Sequence, residues 1–185
     1  IGARFDHVFT ESQVSTESQS IVNHYLSKGI FVESEGAIGV DLKPIKLGFV
    51  ILRKSDGNTL YATKDLALAK KKFETFNIDQ CIYVVGSEQN LHFKQVFKIL
   101  EMMGFEQATK CHHLSYGLVV LPEGKMSSRA GNIVPFMTLK DRLADELSHY
   151  VEKYRGEWTE QEMEDTIHRL SVGAIRYGML CSDPV

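Results

Sequence analysis

Between residues 81 and 121 the sequence predicts a strand, a helix and a second strand, and this order constrains the fold more than any other feature. Cys81–Val85 is a run of apolar residues, which is typical of a strand buried on both faces of a parallel sheet. A helix with a nearly four-residue apolar period is expected to begin near Glu88 or Gln89 and to end at Gly104. The second strand is predicted at His113–Leu121. Because parallel strands need a crossover between them, the sequence predicts a right-handed βαβ unit and an α/β fold with a parallel sheet.

The residues before this unit are expected to form two β-hairpins. The first hairpin spans residues 31–40 and has its turn at Glu35-Gly36. The second joins the apolar strand Gly48–Arg53 to Thr59–Ala62, and Gly57 suits its turn because glycine tolerates a positive φ angle. Helices are predicted at residues 18–27 and 63–77.

The last quarter of the sequence is predicted to be helical. Thr138 is expected to cap one helix, and Thr159 with Glu162 has the spacing of a capping box at the start of the next. The apolar residues expected on one side of that second helix are Met163, Ile167, Leu170, Ala174 and Tyr177. We therefore divide the chain into an α/β part at residues 1–136 and a helical part at residues 137–185.

The composition is that of an ordinary globular protein and excludes several classes of function. Hydrophobic residues make up 43% of the sequence, and 21 Lys and Arg against 24 Asp and Glu leave a net charge of −3. This balance excludes a strongly basic module that coats nucleic acid. No apolar run approaches the roughly 20 residues needed to span a bilayer, so no membrane segment is expected.

The cysteines and histidines predict neither a disulfide framework nor a metal site. Cys81, Cys111 and Cys181 are widely spaced and odd in number, which favours a reducing, cytoplasmic location. The His112-His113 pair has no cysteine or carboxylate at ligand spacing. We therefore expect no metal held by the protein itself.

A polar loop at residues 125–132 carries the side chains that a polyphosphate requires. Lys125 supplies a compact ammonium charge and Arg129 a planar guanidinium with paired N–H donors. Two serine hydroxyls lie between them in the sequence. Gly131 lets the backbone approach a ligand closely, and the loop follows the βαβ unit, near the sheet edge where such folds bind ligands. By composition alone, an ordinary surface loop is an equally good interpretation.

The order of residues in this loop resembles a known signature. Lys125-Met126-Ser127-Ser128-Arg129 is similar to the KMSKS motif of class I aminoacyl-tRNA synthetases, with Ser128 in place of the usual second lysine. Together with the following Gly131-Asn132-Ile133-Val134, it most closely resembles the arginyl-tRNA synthetase family. Three further stretches resemble the same family: Thr59–Asp65, Tyr83–Phe93 and Val172–Tyr177. The resemblance runs from Arg4 to the last residue.

The resemblance implies a fold and an activity. Residues 1–136, with the signature loop 125–132, would form the second half of a Rossmann-like catalytic domain, and residues 137–185 a helical connection toward an anticodon-binding domain. The family's reaction activates L-arginine with ATP to arginyl-adenylate and transfers the arginyl group to tRNA(Arg). ATP is then a substrate accompanied by Mg²⁺. The resemblance specifies no oligomeric state.

Carried over position by position, the resemblance also assigns three groups of site residues. The catalytic residues at the ATP phosphates are Lys125, Ser127, Ser128 and Arg129. The residues that bind the arginine side chain are Tyr61, Asp65 and Gln89. The residues that contact ATP are His92, Gly117, Lys125 and Met126.

Residue chemistry supports the arginine pocket only when its members are taken together. A guanidinium group needs a carboxylate and acceptors placed in its plane. Tyr61 and Asp65 are four residues apart where a strand is predicted to enter a helix, so both can face one cleft. Taken singly, Asp65 is better explained as a first-turn charge favoured by the helix dipole, Tyr61 as a strand aromatic and Gln89 as a helix-start residue. For His92 alone, a surface histidine is nearly as good an interpretation as a nucleotide contact.

Two other functions stay open on the sequence alone. One is a class I synthetase for another amino acid, or a nucleotidylyltransferase, on the same nucleotide-binding fold. The other is a non-catalytic relative that keeps the fold and binds nucleotide. The HIGH-like signature of class I synthetases does not occur in the 185 residues, and the first residue is not Met. We therefore expect a piece of a longer protein that does not aminoacylate tRNA by itself.

Overall fold

The computed structural model describes residues 2–121, 124–126, 131 and 133–181. These residues fall into two compact units. The larger unit is Phe5–Tyr116, and the smaller one comprises the residues from Gly117 onward together with the amino-terminal segment up to Arg4.

The larger unit contains three helices and five strands. In chain order they are α1 (Ser12–Ser27), β1 (Val32–Ser34), β2 (Ala37–Asp41), β3 (Phe49–Arg53), α2 (Tyr61–Thr75), β4 (Cys81–Gly86), α3 (Asn90–Met102) and β5 (Cys111–Tyr116). Short 3₁₀ turns lie at Lys43–Ile45, Ser87–Gln89 and Glu106–Lys110. The predicted helix at 18–27 is therefore present but begins six residues earlier, at Ser12.

An antiparallel sheet, in the order β1-β2-β3, confirms the first predicted hairpin. Its tight turn is formed by Glu35 and Gly36, whose φ angles of 52° and 76° are both positive. This is the turn geometry that matches the twist of a hairpin, and glycine adopts it without steric cost. Val32 pairs with Gly39, and β2 then pairs with β3 through a register shift between Ile38 and Gly39.

The second predicted hairpin is wrong in its return strand. Gly57 does form the predicted turn, with a φ angle of 85°, but only a single bridge joins Arg53 to Thr59. Tyr61 and Ala62 already belong to α2, and the Thr63 hydroxyl donates a 2.5 Å hydrogen bond to the Leu52 carbonyl. Helix formation prevails because it buries a continuous apolar stripe against the sheet. The buried residues of α2 are Ala62, Thr63, Leu66, Ala67 and Ala69.

β4 and β5 form a parallel pair, which confirms the predicted βαβ unit. Cys81 lies opposite Cys111, and the register continues without a shift to Gly86 opposite Tyr116. The second strand begins at Cys111 and ends at Tyr116, so the predicted extension to Leu121 is wrong. The predicted helix between the strands is α3, and Gly104 ends it with a φ angle of 76°.

Only one face of this parallel pair is buried within the described residues, although the sequence predicted burial on both faces. Tyr83 packs against Phe93 and Phe97 of α3. The opposite face, which we call the open face, consists of Ile82, Val84, Leu114 and Tyr116, whose exposures range from 38% to 63%. The reason is that no helix of the larger unit packs on that side.

The main core of the larger unit lies between the antiparallel sheet and its helices. Its fully buried side chains include Val22, Phe31, Val40, Leu52, Leu66, Ile99 and Leu100. α1 and α2 pack against each other, and the Lys70–Glu17 ion pair at 3.2 Å joins them at the edge of the core. The core therefore fixes the position of the first turn of α2.

The described part of the smaller unit contains two short paired strands and two long helices. Its elements are β6 (Val120–Leu121), β7 (Gly124–Lys125), α4 (Phe136–Val151), a 3₁₀ turn at Glu152–Tyr154, and α5 (Glu160–Leu180). Val120 pairs with Lys125, so Lys125 lies in a two-residue strand. Within the described residues, no helix combines the length and the apolar character needed to cross a membrane.

The two predicted helix starts in this unit have different outcomes. The capping box is confirmed, since the Glu162 N–H donates to the Thr159 hydroxyl at 3.2 Å and the Thr159 N–H donates to the Glu162 carboxylate at 2.8 Å. The cap at Thr138 is wrong, because α4 begins at Phe136 with Pro135 as its N-cap. Proline suits this place because its φ angle is already helical and no N–H is lost.

The predicted apolar face of α5 is only partly correct. Met163 is buried, as expected, but Leu170 and Tyr177 are 48% and 75% exposed. Ser171 and Ile175 are buried instead. The Ser171 hydroxyl donates to the Ile167 carbonyl at 2.7 Å, which allows a polar residue to sit on the packed side.

Candidate active site

Three of the predicted site residues form one cluster in the larger unit. Asp65 Oδ2 lies 2.7 Å from Nε2 of His92. The ring of Tyr61 lies against the His92 ring, with 4.5 Å between the ring centroids and 37° between the planes. Tyr61 and Asp65 belong to the first turns of α2, and His92 belongs to the first turn of α3.

The fold brings these residues together through two helix starts. α2 follows β3 after the turn at Gly57, and Leu60 donates its N–H to the Leu52 carbonyl before the first helical turn begins. α3 follows β4 through the 3₁₀ turn Ser87–Gln89, so His92 lies just beyond the carboxyl end of a parallel strand. This is the sheet edge at which α/β folds bind their ligands.

The Asp65–His92 contact fixes the carboxylate in one orientation. His92 is 8% exposed, whereas the side chain of Asp65 is 30% exposed. An ionised carboxylate only accepts hydrogen bonds, so Nε2–H of His92 donates to Oδ2. The second carboxylate oxygen, Oδ1, has no hydrogen-bond partner among the described residues, and it remains available to a donor from solvent or ligand.

A cavity of about 250 Å³ opens beside this carboxylate. Its lining residues are Phe9, Thr10, Glu11, Val14, Tyr61, Lys64, Asp65 and Leu68. The two other charges on this wall, Lys64 and Glu11, form an ion pair with each other. Asp65 is therefore the charged residue of this lining that is left to pair with a cationic ligand. Phe9 and Leu68 supply apolar surface that a hydrocarbon chain of the ligand can contact.

The remaining predicted site residues belong to other elements or lie outside the described residues. Gln89 is exposed and ends the 3₁₀ turn before α3. Gly117 directly follows β5, Lys125 lies in β7, and Met126 is half-buried. The predicted catalytic residues Ser127, Ser128 and Arg129 lie outside the described residues.

The structure also adds residues to the site that sequence reasoning missed. The segment Phe9–Val14, which carries no clear pattern in the sequence, supplies one wall of the cavity through Phe9, Thr10 and Glu11. Nothing in the periodicity of this segment indicates a binding role. The structure further places His92 on Asp65, whereas the sequence grouped His92 with the residues expected at ATP.

Comparison with known proteins assigns the class to which this fold and site belong. The chain belongs to the class I aminoacyl-tRNA synthetases, since the family model described as "tRNA synthetases class I (R), catalytic domain" matches residues 3–184. Among curated proteins, it is 50% identical over 180 residues to the arginine–tRNA ligase of Bdellovibrio bacteriovorus, covering 97% of this chain and 31% of that protein. It is 39% identical over 184 residues to the arginine–tRNA ligase of Treponema denticola, covering 99% of this chain and 31% of that protein. The chain belongs to the arginyl-tRNA synthetase family.

Solved structures agree with this assignment at the level of the fold. The arginyl-tRNA synthetase of Thermus thermophilus matches with a TM-score of 0.72 and 21% identity, over 92% of this chain and 35% of that one. The enzyme of Plasmodium falciparum matches with a TM-score of 0.70 and 20% identity, over 95% and 29% of the two chains. This chain thus spans about a third of the length of the curated relatives. The comparisons support neither a class I synthetase for another amino acid or a nucleotidylyltransferase, nor a non-catalytic relative.

Proposed function

We propose that this chain forms the arginine-binding part of an arginine–tRNA ligase. The observation that carries this proposal is the Asp65 carboxylate, which His92 holds at 2.7 Å on the wall of the cavity that contains Tyr61. The guanidinium group of the substrate would donate to the free Oδ1 of Asp65. The face of the Tyr61 ring, which is 60% exposed, is available to stack on the planar guanidinium.

The proposed reaction begins with the activation of L-arginine. The carboxylate of arginine attacks the α-phosphorus of ATP, pyrophosphate leaves, and arginyl-adenylate forms. Because negative charge develops on the phosphates, catalysis relies on positioned cations and on donors that need no reorganisation. We assign these roles to Lys125, Ser127, Ser128 and Arg129, in accord with the family's signature loop. The arginyl group then passes to tRNA(Arg).

The proposed ATP contacts are His92, Gly117, Lys125 and Met126, and Gln89 completes the arginine set. Gly117 follows the carboxyl end of β5, the edge where a nucleotide approaches an α/β sheet.

Within the described residues, no group of three or more His, Cys, Asp or Glu side chains is arranged to hold a metal ion. Mg²⁺ would therefore arrive with the phosphates of ATP. A cytoplasmic location is part of this proposal.

The test is the Asp65→Asn substitution in the full-length protein. The amide keeps the shape of the side chain but removes the charge that would pair with the guanidinium. We expect the KM for arginine in ATP–pyrophosphate exchange to rise about 100-fold, because a lost charge-assisted hydrogen bond costs roughly 2–3 kcal/mol. The KM for ATP should stay within about twofold.

Asp79→Asn provides the matched control, because Asp79 is an exposed aspartate of the same unit that lies outside the cavity. It should leave both constants unchanged. A rise in the KM for ATP with an unchanged KM for arginine in Asp65→Asn would show that the cavity serves the nucleotide, and the proposed pocket would then be wrong.

A further inference from the structure

Two cysteines face each other at the amino ends of the parallel strands. Cys81 and Cys111 are the first residues of β4 and β5, and they are direct partners in the register of the pair. Neighbouring strands are about 4.8 Å apart, which lies within the Cα separation of about 4.4–6.8 Å that a disulfide accepts. Direct partners also point to the same face of a sheet, so the two thiols lie side by side under α3.

The surroundings of this pair differ from those of an inert buried cysteine. Nζ of Lys72 lies 3.9 Å from Sγ of Cys81 and 4.0 Å from the centroid of the Tyr83 ring. The neighbouring Cys111 thiol and the Lys72 ammonium lower the pKa of Cys81, whereas the same thiol pairing and burial raise the pKa of Cys111. One sulfur is therefore suited to act as a nucleophile and the other stays protonated.

We propose that Cys81 and Cys111 form a reversible redox pair, in which Cys81 reacts with a hydroperoxide and Cys111 closes a disulfide. Cys81 is 6% exposed and Cys111 is half-buried, so hydrogen peroxide suits the site because it is small and uncharged. A disulfide in a protein of a reducing compartment is typically of this transient kind.

The chemistry balances in two steps. In the first step, the Cys81 thiolate attacks one oxygen of H₂O₂. The S–O bond forms, the O–O bond breaks, and the departing hydroxide takes up the proton that the Cys81 thiol released, which gives one water. In the second, Cys111 gives up its proton and attacks the Cys81 sulfur, so that the S–S bond forms and the S–O bond breaks. The leaving hydroxide takes up a proton as a second water. The net reaction converts two thiols and one H₂O₂ into one disulfide and two waters.

The proposed pair is independent of the arginine pocket. Cys81 and Cys111 begin their strands, whereas His92 follows the carboxyl end of β4. Six-residue strands separate the two edges by about 16 Å, at about 3.3 Å per residue. Oxidation at the amino ends therefore touches none of the residues of the Asp65 cluster, and the failure of either proposal leaves the other intact.

The experiment treats the reduced full-length protein with hydrogen peroxide, alkylates the remaining thiols and maps tryptic peptides by mass spectrometry. The sequence places Cys81 in the peptide Phe73–Lys94 and Cys111 in the peptide Cys111–Lys125. We expect these two peptides to be joined in most of the oxidised protein and to separate on treatment with dithiothreitol. Cys181→Ser, which removes the exposed third cysteine, should give the same linked species.

Two variants test the assigned roles. Cys111→Ser should abolish the linked species and accumulate a sulfenic acid on Cys81 that dimedone traps. Lys72→Gln should slow the oxidation of Cys81 by roughly two- to threefold at pH 7, because it removes the ammonium that favours the thiolate and leaves the Cys111 thiol in place. Lys71→Gln, the neighbouring lysine, is the matched control and should react at the parent rate.

Three outcomes would overturn the proposal. They are an unlinked Cys81 sulfenic or sulfinic acid in the parent protein, a disulfide that contains Cys181, and an unmodified Cys81 after Cys181 has been fully oxidised. Peptide mapping of the parent protein distinguishes all of them, so the test stands even where a variant fails to fold.

Discussion

At the scale of single residues, His92 positions the Asp65 carboxylate, a role that its contact supports beside the ATP contact proposed for it. His92 is buried, its Nε2–H donates to Oδ2 of Asp65, and its ring packs against the Tyr61 ring. A carboxylate at the end of a freely rotating side chain would lose rotational entropy when it binds a guanidinium. The contact with His92 imposes that ordering in advance, which is how preorganisation raises affinity.

We therefore expect His92→Phe to weaken arginine binding while it preserves an aromatic surface for Tyr61. The KM for arginine in pyrophosphate exchange should rise about tenfold, since a hydrogen bond to a charged group contributes roughly 1.5 kcal/mol or more. Lys94→Gln, an exposed change in the same helix, is the control. A fall in kcat at constant KM for arginine would assign His92 to the chemical step instead and contradict the positioning role.

Part of this cluster was predictable from the sequence, and part was not. Tyr61 and Asp65 stand four residues apart in one segment, so local spacing places them on one side of a helix. His92 lies 27 positions beyond Asp65. Its contact depends on how α2 and α3 pack, which the hydrophobic period of either helix does not determine. The family signature that begins at Lys125 is recognisable in the sequence, but hydrophobic periodicity does not predict the conformation of this loop.

At the scale of elements, the side chain of Thr159 caps the start of helix α5. Thr138, near the start of α4, provides a threonine for comparison. Thr159→Ala removes the hydroxyl that accepts the Glu162 N–H, and such caps contribute about 1 kcal/mol. We expect a lower midpoint in denaturant unfolding. Thr138→Ala should have little effect, because Thr138 lies within α4 and caps nothing. Equal losses in the two variants would contradict the assigned cap.

The same cap predicts a pH dependence. Hydrogen bonds from the backbone and hydroxyl of Thr159 lower the pKa of Glu162 in the folded protein. A group whose folded pKa is depressed stabilises the native state above its unfolded pKa, about 4.3 for glutamate, and loses that contribution as the pH falls through the folded pKa. The stability difference between the parent and Glu162→Gln should therefore be complete near pH 6 and diminish toward pH 3. A difference that grows in acid would reverse the sign and refute the cap.

Strand β2 depends on the absence of a side chain at one position. A Cβ atom added to Gly39 would meet the Val50 carbonyl oxygen and would lie 2.6 Å from a carbon of the Phe49 ring. The backbone oxygen cannot move aside, so Gly39→Ala should destabilise the protein by about 1–3 kcal/mol. Gly173→Ala meets nothing within 4 Å in the middle of α5 and should be neutral or stabilising by up to about 1 kcal/mol. Thermal unfolding of the two variants measures the contrast.

The elements that the sequence predicted well are those whose signal is local. The turn at Glu35-Gly36 and the capping box need only their own residues, and both are present. The return strand at Thr59–Ala62 failed because its alternation is too short to compete with the buried stripe of α2. The second parallel strand ends at Tyr116 and not at Leu121, because the apolar residues after Tyr116 lead into β6, which pairs with β7. Periodicity does not reveal such a change of partner.

At the scale of the whole molecule, the open face of the parallel pair marks a surface that the protein needs to cover. Antiparallel sheets commonly leave one face in water, whereas parallel strands are usually covered on both. Because the curated relatives are about three times as long as this chain, we expect a segment outside residues 1–185 to cover the open face in the longer protein. A covered face and an exposed one respond in opposite ways to polar substitution, which makes this expectation testable.

The double substitution Ile82→Thr with Val84→Thr should therefore act differently in the two contexts. In the 185-residue chain, where these side chains are 51% and 63% exposed, it should reduce self-association and the binding of a hydrophobic dye. In the full-length protein it should lower stability by about 2 kcal/mol or more, because it would bury two hydroxyls in an apolar contact. Ile51→Thr is the matched control, since Ile51 is 42% exposed on an antiparallel strand whose outer face belongs in water. An unchanged stability of the full-length double variant would show that the open face stays exposed and that the segment covering it does not exist.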